Sequence, residues 1–432
     1  MFKLKLAVAV GALVAASTAA GGASAQEAMT IQEAVTRAVS HHPDVDRARA
    51  SHEVDAQSIE VEKAGHLPSV DLEGEAGYQN FTSETDHRLR GGITFKITQP
   101  IFDGNFASRQ VSGAEFTAEA SKERLRETRE NKALEAAEAY LEVYRTREAR
   151  DIASRNLDRH TELTDLVVVR AEQGGGTEAD VLQAQVRTDA AKVRLNEAQD
   201  AVATAEATFL QLVGTQAGEV TFQPFGGMVT PKSNTEALEE ARAKNPALSA
   251  VAATELAAKE NIEANTANFY PLVDLELSQS LYENFREGSG DSRETRAMVV
   301  FTWNLYAGGS DEAKRRRAVA LLGESVAGKA SLDRQLEQQV SEDMSFLETM
   351  EQNVPILQER MTKSEEVLVQ YNQQFQVGAR TLLDLLNAEN ELFQARTDLL
   401  DARVQYEFAK YRVYNTLGSL LNVFEVASTE GK

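Results

Sequence analysis

Two short stretches of this 432-residue chain bring glycines, a hydroxyl and a carboxylate together at matching spacing. One runs from Gly174 to Asp180 (GGGTEAD), the other from Gly378 to Asp384 (GARTLLD). Thr177-x-x-Asp180 and Thr381-x-x-Asp384 both have the form in which a hydroxyl and a carboxylate close the first turn of a helix. An aspartate there also complements the helix dipole. The preceding glycines, Gly174, Gly175, Gly176 and Gly378, can supply the positive φ of a tight turn. His41-His42 with Asp44 and Asp46 carries metal-ligand atoms, but in a spacing that matches no ligand pattern. Lys314-Arg315-Arg316-Arg317 suits anionic headgroups or acidic neighbours, and equally a solvated helix face. No nucleophile–base pair, phosphate loop or metal motif argues for catalysis, so neither enzyme activity nor a cofactor or metal is expected.

The two stretches lie 204 residues apart, and so does much else. Leu67 opens LPSVDLE and Tyr270 opens YPLVDLE, at an offset of 203. Pro43 and Pro246 repeat at the same offset, and Gly214 and Gly418 at 204. An internal repeat of this length means a half-protein duplicated and fused. The halves read as 26–214 and 236–422, with a connector at 215–235 and a polar tail at 423–432.

Each half must position its turn with the same elements. Residues 31–65 read as a helix with a break or first turn at Pro43. The period then changes to two. Val70, Leu72, Ala76 and Tyr78 alternate with Asp71, Glu73, Glu75 and Gln79; Ile93, Phe95, Ile97 and Ile101 alternate with Thr94, Lys96 and Thr98. Strands are predicted at about 68–81 and 92–103, and in the second half at about 271–283 and 294–306. There, Val273, Leu275, Leu277 and Leu281 oppose Asp274, Glu276, Ser278 and Ser280, while Ala297, Val299, Phe301, Trp303 and Leu305 form one face. Runs of about ten alternating residues fit tilted strands crossing a bilayer, with Trp303 where an interfacial aromatic belongs. A half-buried soluble sheet gives the same alternation. Four strands cannot close a membrane barrel, so spanning strands imply several chains sharing one.

Proline-free helical patterning covers 106–172, about 100 Å at 1.5 Å per residue. Residues 309–377 form a second long helix, with Pro355 as a kink. Shorter helices at 178–213 and 235–268 together match one long helix, and end-to-end stacking of that pair is expected.

Residues 1–25 have the form of an export signal: Lys3 and Lys5, an apolar run from Leu6, and Ala23-Ser24-Ala25 as the cleavage site. The net charge of −22 disfavours nucleic acid as a partner. There is no cysteine, which removes disulfides and a lipid anchor.

The cleaved signal, the two helix–hairpin–long helix–turn–helix repeats, the TQPIFDG strand exit (Thr98–Gly104) and VGARTLLDLLNAE together resemble TolC-like outer membrane channel proteins across the whole mature chain. The resemblance implies a mainly α fold with a transmembrane β-barrel part. It implies a homotrimer sharing a 12-stranded barrel in outer membrane lipid, with a helical tunnel in the periplasm. It also implies a passive exit duct for type I protein secretion or small-molecule efflux. The partners would be a periplasmic adaptor protein and an inner-membrane ABC or other efflux transporter. The tip turns would dock the adaptor. Asp384 takes the constriction position, and Asn387 stands where the family pattern has a second aspartate. A closed-state latch would join Asp180 to Arg380 and an aromatic, which is Phe375 here in place of tyrosine. The competing reading is a periplasmic coiled-coil adaptor or scaffold without a barrel.

Overall fold

The computed structural model describes residues 29–80, 87–225, 230–284 and 292–425. The export signal and the end of the polar tail lie outside these residues, as do parts of both hairpin loops and of the connector.

Chain order is α1 (Ile31–His41), α2 (Pro43–Lys63), β1 (Ser69–Asn80), β2 (His87–Phe102), α3 (Phe106–Glu172) and α4 (Glu178–Val213). The second half follows with α5 (Asn234–Lys244), α6 (Pro246–Ala267), β3 (Leu272–Asn284), β4 (Ser292–Thr302), α7 (Ser310–Gln376), α8 (Leu382–Thr416) and the single turn α9 (Leu420–Val423). The predicted break at Pro43 is a helix boundary, and the helix expected at 235–268 is two helices, α5 and α6, divided at Pro246. Pro43 and Pro246 occupy first helical positions, where a missing N–H leaves nothing unsatisfied, behind the caps His42 and Asn245.

The strands form one antiparallel sheet in the order β1-β2-β3-β4. Its register sorts the faces. Val70, Ile97, Leu277 and Ala297 form one lateral row; Asp71, Lys96, Ser278 and Arg296 form the next, on the other face. On the polar face Lys96 Nζ lies 3.0 Å from Glu276 Oε1, and the Thr94 hydroxyl donates to Ser280 Oγ at 3.0 Å. Three details depart from the predicted strands. β2 begins at His87 rather than 92, because Gly91 and Gly92 continue the ladder, the Tyr282 ring covering the bare backbone of Gly92. A register shift between Pro100 and Phe102 takes Ile101 out of the alternation, at a proline that has no N–H to give the ladder. β4 ends at Thr302 because its last partner, Leu272, is the first residue of β3. Trp303 therefore lies just beyond the strand, half-exposed, and its indole N–H donates to the Phe269 carbonyl at 3.2 Å.

α3 and α7, 67 residues each, run the length of the helical part. α6 lies along the strand-proximal half of α3, with Arg109 bonded to Glu260, and α8 along the distal half, with Arg145 bonded to Asp401. Both also pack against α7, through Lys329–Glu255 and Arg360–Asp398. The end-to-end pair is thus α6 with α8, and on the other side of α3 it is α2 with α4, not 178–213 with 235–268. The reason is length. A returning helix of 35 or 36 residues covers half of a 67-residue helix, and the helix that led into the same hairpin covers the rest. Asn245 joins α6 to α8: its Oδ1 accepts from Leu248 N–H at 3.2 Å, and its Nδ2 donates to the Thr416 carbonyl at 3.0 Å. Gly418 sits in this junction at φ +70°, where a Cβ would lie 2.7 Å from the Lys244 carbonyl oxygen.

The main core surrounds α1, the middle of α3 and the C-terminal half of α8. The connector is strapped across it: Arg147 donates to the carbonyls of Gly218 and Ala217, and Phe225 N–H donates to the buried Glu407 at 2.7 Å. None of the described helices is long and apolar enough to cross a membrane.

Candidate functional site

Both turns lie at the end of the helical part opposite the strands, where α3, α4, α7 and α8 meet. A separate small core holds them together, made of Leu163, Val167, Ala184, Phe375, Leu382, Leu385 and Leu386. Gly174 and Gly378 take φ of +78° and +77°, the left-handed turn that ends each long helix.

The two capping boxes form as the spacing requires. The Thr177 hydroxyl donates to Asp180 Oδ2 at 2.7 Å, and Asp180 N–H donates back to Thr177 Oγ1 at 3.2 Å. Thr381 and Asp384 repeat this at 2.8 and 3.2 Å. The threonine hydroxyl, then the threonine N–H, holds each carboxyl below the usual carboxylate range. Each aspartate is therefore anionic and a helix cap at once. Asp384 and the exposed Asn387 lie one turn apart on the same side of α8.

The three residues of the expected latch are not brought together within the chain. Asp180 is engaged by Thr177. Arg380 Nε donates to Gln374 Oε1 at 2.9 Å, its guanidinium lies 4.3 Å from the centroid of the Tyr371 ring, and Asp384 Oδ2 is 3.9 Å away. Phe375 is buried in the tip core and meets a different arginine, Arg170, 5.0 Å from its centroid. The aromatic that Arg380 touches is thus Tyr371, one helical turn before Phe375. Sequence reasoning missed Tyr371 and Arg170; the available signal was the repeat itself, which sets Arg170 against Gln374 at the 204 offset.

Three turns up α3, Arg159 reaches the second repeat. Its Nε lies 2.6 Å from Glu389 Oε1 on α8, and its Nη2 donates to Asn372 Oδ1 on α7 at 3.3 Å. Burial pushes the Glu389 carboxyl up, against the pull of Arg159. Next to it the buried His160 is driven down to about 4 by burial, so it is neutral at pH 7. His41, His42, Asp44 and Asp46 form no metal cluster; among the described residues there is none. His42 instead caps α2.

A four-stranded sheet with one polar face, carried on four long helical columns that end in carboxylate-bearing turns, defines an outer membrane channel protomer. The outer membrane efflux protein family matches residues 34–215 and 237–419, one match per repeat, and the chain belongs to that family. It is 27% identical to the outer membrane efflux protein BepC of Brucella suis, over 96% of this chain and 90% of that one. It is 24% identical to the alkaline protease secretion protein AprF of Pseudomonas aeruginosa, over 87% of this chain and 82% of that one. The fold matches the open state of the Neisseria gonorrhoeae MtrE outer membrane channel with a TM-score of 0.78 at 18% identity, covering 90% of this chain and 89% of that one. The protein is accordingly placed in the outer membrane, with its helices in the periplasm.

Proposed function

We propose that three copies close side by side into one conduit. The observation that carries this reading is the open-edged sheet. Among the described residues β1 and β4 each lack a neighbour on one side, and an unpaired edge is not tolerated in lipid. Pairing β4 of one copy with β1 of the next gives twelve strands from three chains, with the acidic row of Asp71, Glu73, Glu75 and Glu276 facing the lumen. The helical edges support the same closure. Exposed Val54 and Val61 on α2 and Leu182, Val186 and Val193 on α4 form one edge, and exposed Ile356 and Val369 on α7 form the other.

The conduit is passive and performs no catalysis. Energy comes from an inner-membrane ABC or other efflux transporter, reached through a periplasmic adaptor that docks on the turns at Gly174, Gly175, Gly176 and Gly378. The cargo is secreted polypeptide or small molecules; the names of AprF and BepC point to one class each. Asp384, with Asn387, forms the constriction. A latch between Asp180 and Arg380 has to form between copies, because within one chain each is held elsewhere. Single-channel conductance in planar bilayers tests this. Discrete low-conductance channels blocked by di- or trivalent cations are expected, with Asp384→Ala relieving the block and Arg380→Ala raising conductance. Folded protein that leaves with the soluble periplasm and forms no channels would sink the conduit and leave the scaffold reading.

A further inference from the structure

The duplication shapes the same stretch of long helix twice, and only one of the two is covered within the chain. On α3, Glu127, Glu130, Asn131 and Leu134 form one wall of a cavity of about 340 Å³. On α7, Ser331, Arg334, Gln335 and Gln338 line an open notch of about 410 Å³. Each of the second four lies 204 residues after one of the first.

The α3 wall is closed over by the bend at Asn245–Pro246–Ala247 and the end of α8, with Gln339 of α7 lining the far side. Asn415 Nδ2 donates to Asn131 Oδ1 at 3.3 Å, and Glu130 accepts the Leu421 N–H. The α7 wall has no such cover. Among the described residues α7 packs chiefly against α5, α6 and α8. Arg334, Gln335 and Gln338 stay exposed, and Arg334 has neither an ion pair nor a hydrogen bond among the described residues. The counterparts of the missing cover stand on the other edge of the chain. The bend His42–Pro43–Asp44 matches Asn245–Pro246–Ala247 at an offset of 203, and exposed Gln211 on α4 matches Asn415 at 204. Glu135 on α3 matches Gln339, again at 204.

We infer that the notch on α7 is half of a joint between copies, completed by the His42–Pro43–Asp44 bend, Gln211 and Glu135 of a second copy of this chain. This rests on the conduit reading and adds the register in which the helices of neighbouring copies lie. Gln335 meets Gln211 of the next copy as Asn131 meets Asn415 within the chain. Charge distinguishes the two joints. Inside the chain the buried Glu130 shares its cavity with the uncharged Gln339. Between copies the equivalent pair is Arg334 and Glu135, which are opposite in sign. Glu135 is ready for it: Oε2 lies 2.7 Å from Lys132 Nζ, and Oε1 has no hydrogen bond among the described residues. The two joints thus exclude each other's partner. Glu130 would repel nothing at Gln339, whereas a glutamate in place of Arg334 would meet Glu135 as a like charge.

The chain has no cysteine, so an introduced pair reports without a background. Gln335→Cys with Gln211→Cys, oxidised mildly in native outer membranes, is expected to give disulfide-linked dimers and trimers. The link can form only between copies, because α3 and α8 separate α4 from α7 within one chain, and a disulfide needs its Cα atoms within about 7 Å. Glu324→Cys with Gln211→Cys moves the first partner about three turns along α7 and should give no link. Arg334→Glu in the linking pair should slow the reaction about fivefold, as for an exposed charge pair reversed. Adding Glu135→Arg should restore the rate. The substituted positions are exposed or half-exposed, so the fold tolerates them. Trimers by mass in detergent that link through Glu324→Cys, or through neither pair, would overturn the joint and leave the conduit standing. A linking rate unmoved by Arg334→Glu would overturn the pairing of Arg334 with Glu135. Protein that is monomeric in both membrane and detergent would remove the conduit and the joint together.

Discussion

Glu130 offers a test that needs no transport assay. It lies on α3, only 3% exposed, and accepts the backbone N–H of Leu421 at 3.1 Å, which holds the C-terminal turn α9 against the core. It lines a cavity of about 340 Å³ at the α6–α8 junction, together with Glu127, Asp343 and Arg412. Burial pushes its carboxyl up to about 7, and neither the Leu421 N–H nor Arg126 and Arg129 offset that. Below the unfolded value near 4.5 both states are protonated and the group is neutral to stability. Between 4.5 and 7 the unfolded chain releases its proton while the folded one keeps it, so stability falls as pH rises, and it levels off above 7. The full difference is about 3 kcal/mol. For a chain this long that is about 3 °C in Tm. Glu130→Gln keeps an acceptor for Leu421 N–H and removes the titration. Thermal melts of the detergent-purified protein from pH 5 to 8 should show the variant gaining on the parent as pH rises, with the two nearest at pH 5. A constant gap across that range, or a gap that closes as pH rises, would refute the assignment of a neutral, burial-raised carboxyl.

Three further outcomes follow from the same geometry. Thr381→Ala and Asp384→Asn should separate the two roles of the second capping box: the first frays the start of α8 in hydrogen exchange and keeps the charge, whereas the second weakens trivalent-cation block of the channel. Gly418→Ala and Gly214→Ala replace equivalent left-handed glycines. The first also drives a Cβ into Lys244 and Pro246 and should lose about 2 kcal/mol more in denaturant melts, because nothing lies within 4 Å of the second. Glu389→Ala strands Arg159 and should destabilise by about 2 kcal/mol, while Arg159→Met with Glu389→Leu recovers most of the loss; equal melting of the single and double variants would show the pair to be unimportant.

Most of the fold was legible because it rests on local periodicity. Period two marked all four strands, the absence of proline marked α3, and Pro43 marked the break between α1 and α2, whereas the matching break at Pro246 lay inside what reads as one helix over 235–268. What escaped was set by partners distant in the chain. The end of β4 depends on where β3 begins, and the extent of β2 on a tyrosine ring from β3 lying over Gly92. The stacking of α6 on α8 is not legible in the sequence, because the helical stretches 178–213 and 235–268 are neighbours along the chain but do not form one column. Only the length of α3 relative to α4 and α8, with Asn245 bridging to Thr416, shows which ends meet.

At the tips the division is sharper. Backbone-directed chemistry was largely readable: both capping boxes stand where their residue types require, and of the four turn glycines Gly174 and Gly378, but not Gly175 and Gly176, take positive φ. Side-chain reach was not. An arginine spans several ångströms in any direction, so Arg380 beside Phe375 in sequence says nothing of which ring it covers, and the turn of α7 brings Tyr371 to it instead. The repeat equivalence helps only when its violations are read as signals. Arg170 opposite Gln374, and Gly176 opposite Arg380, mark where two once-equal halves took on different work, one cation tying the repeats together and the other left at the surface.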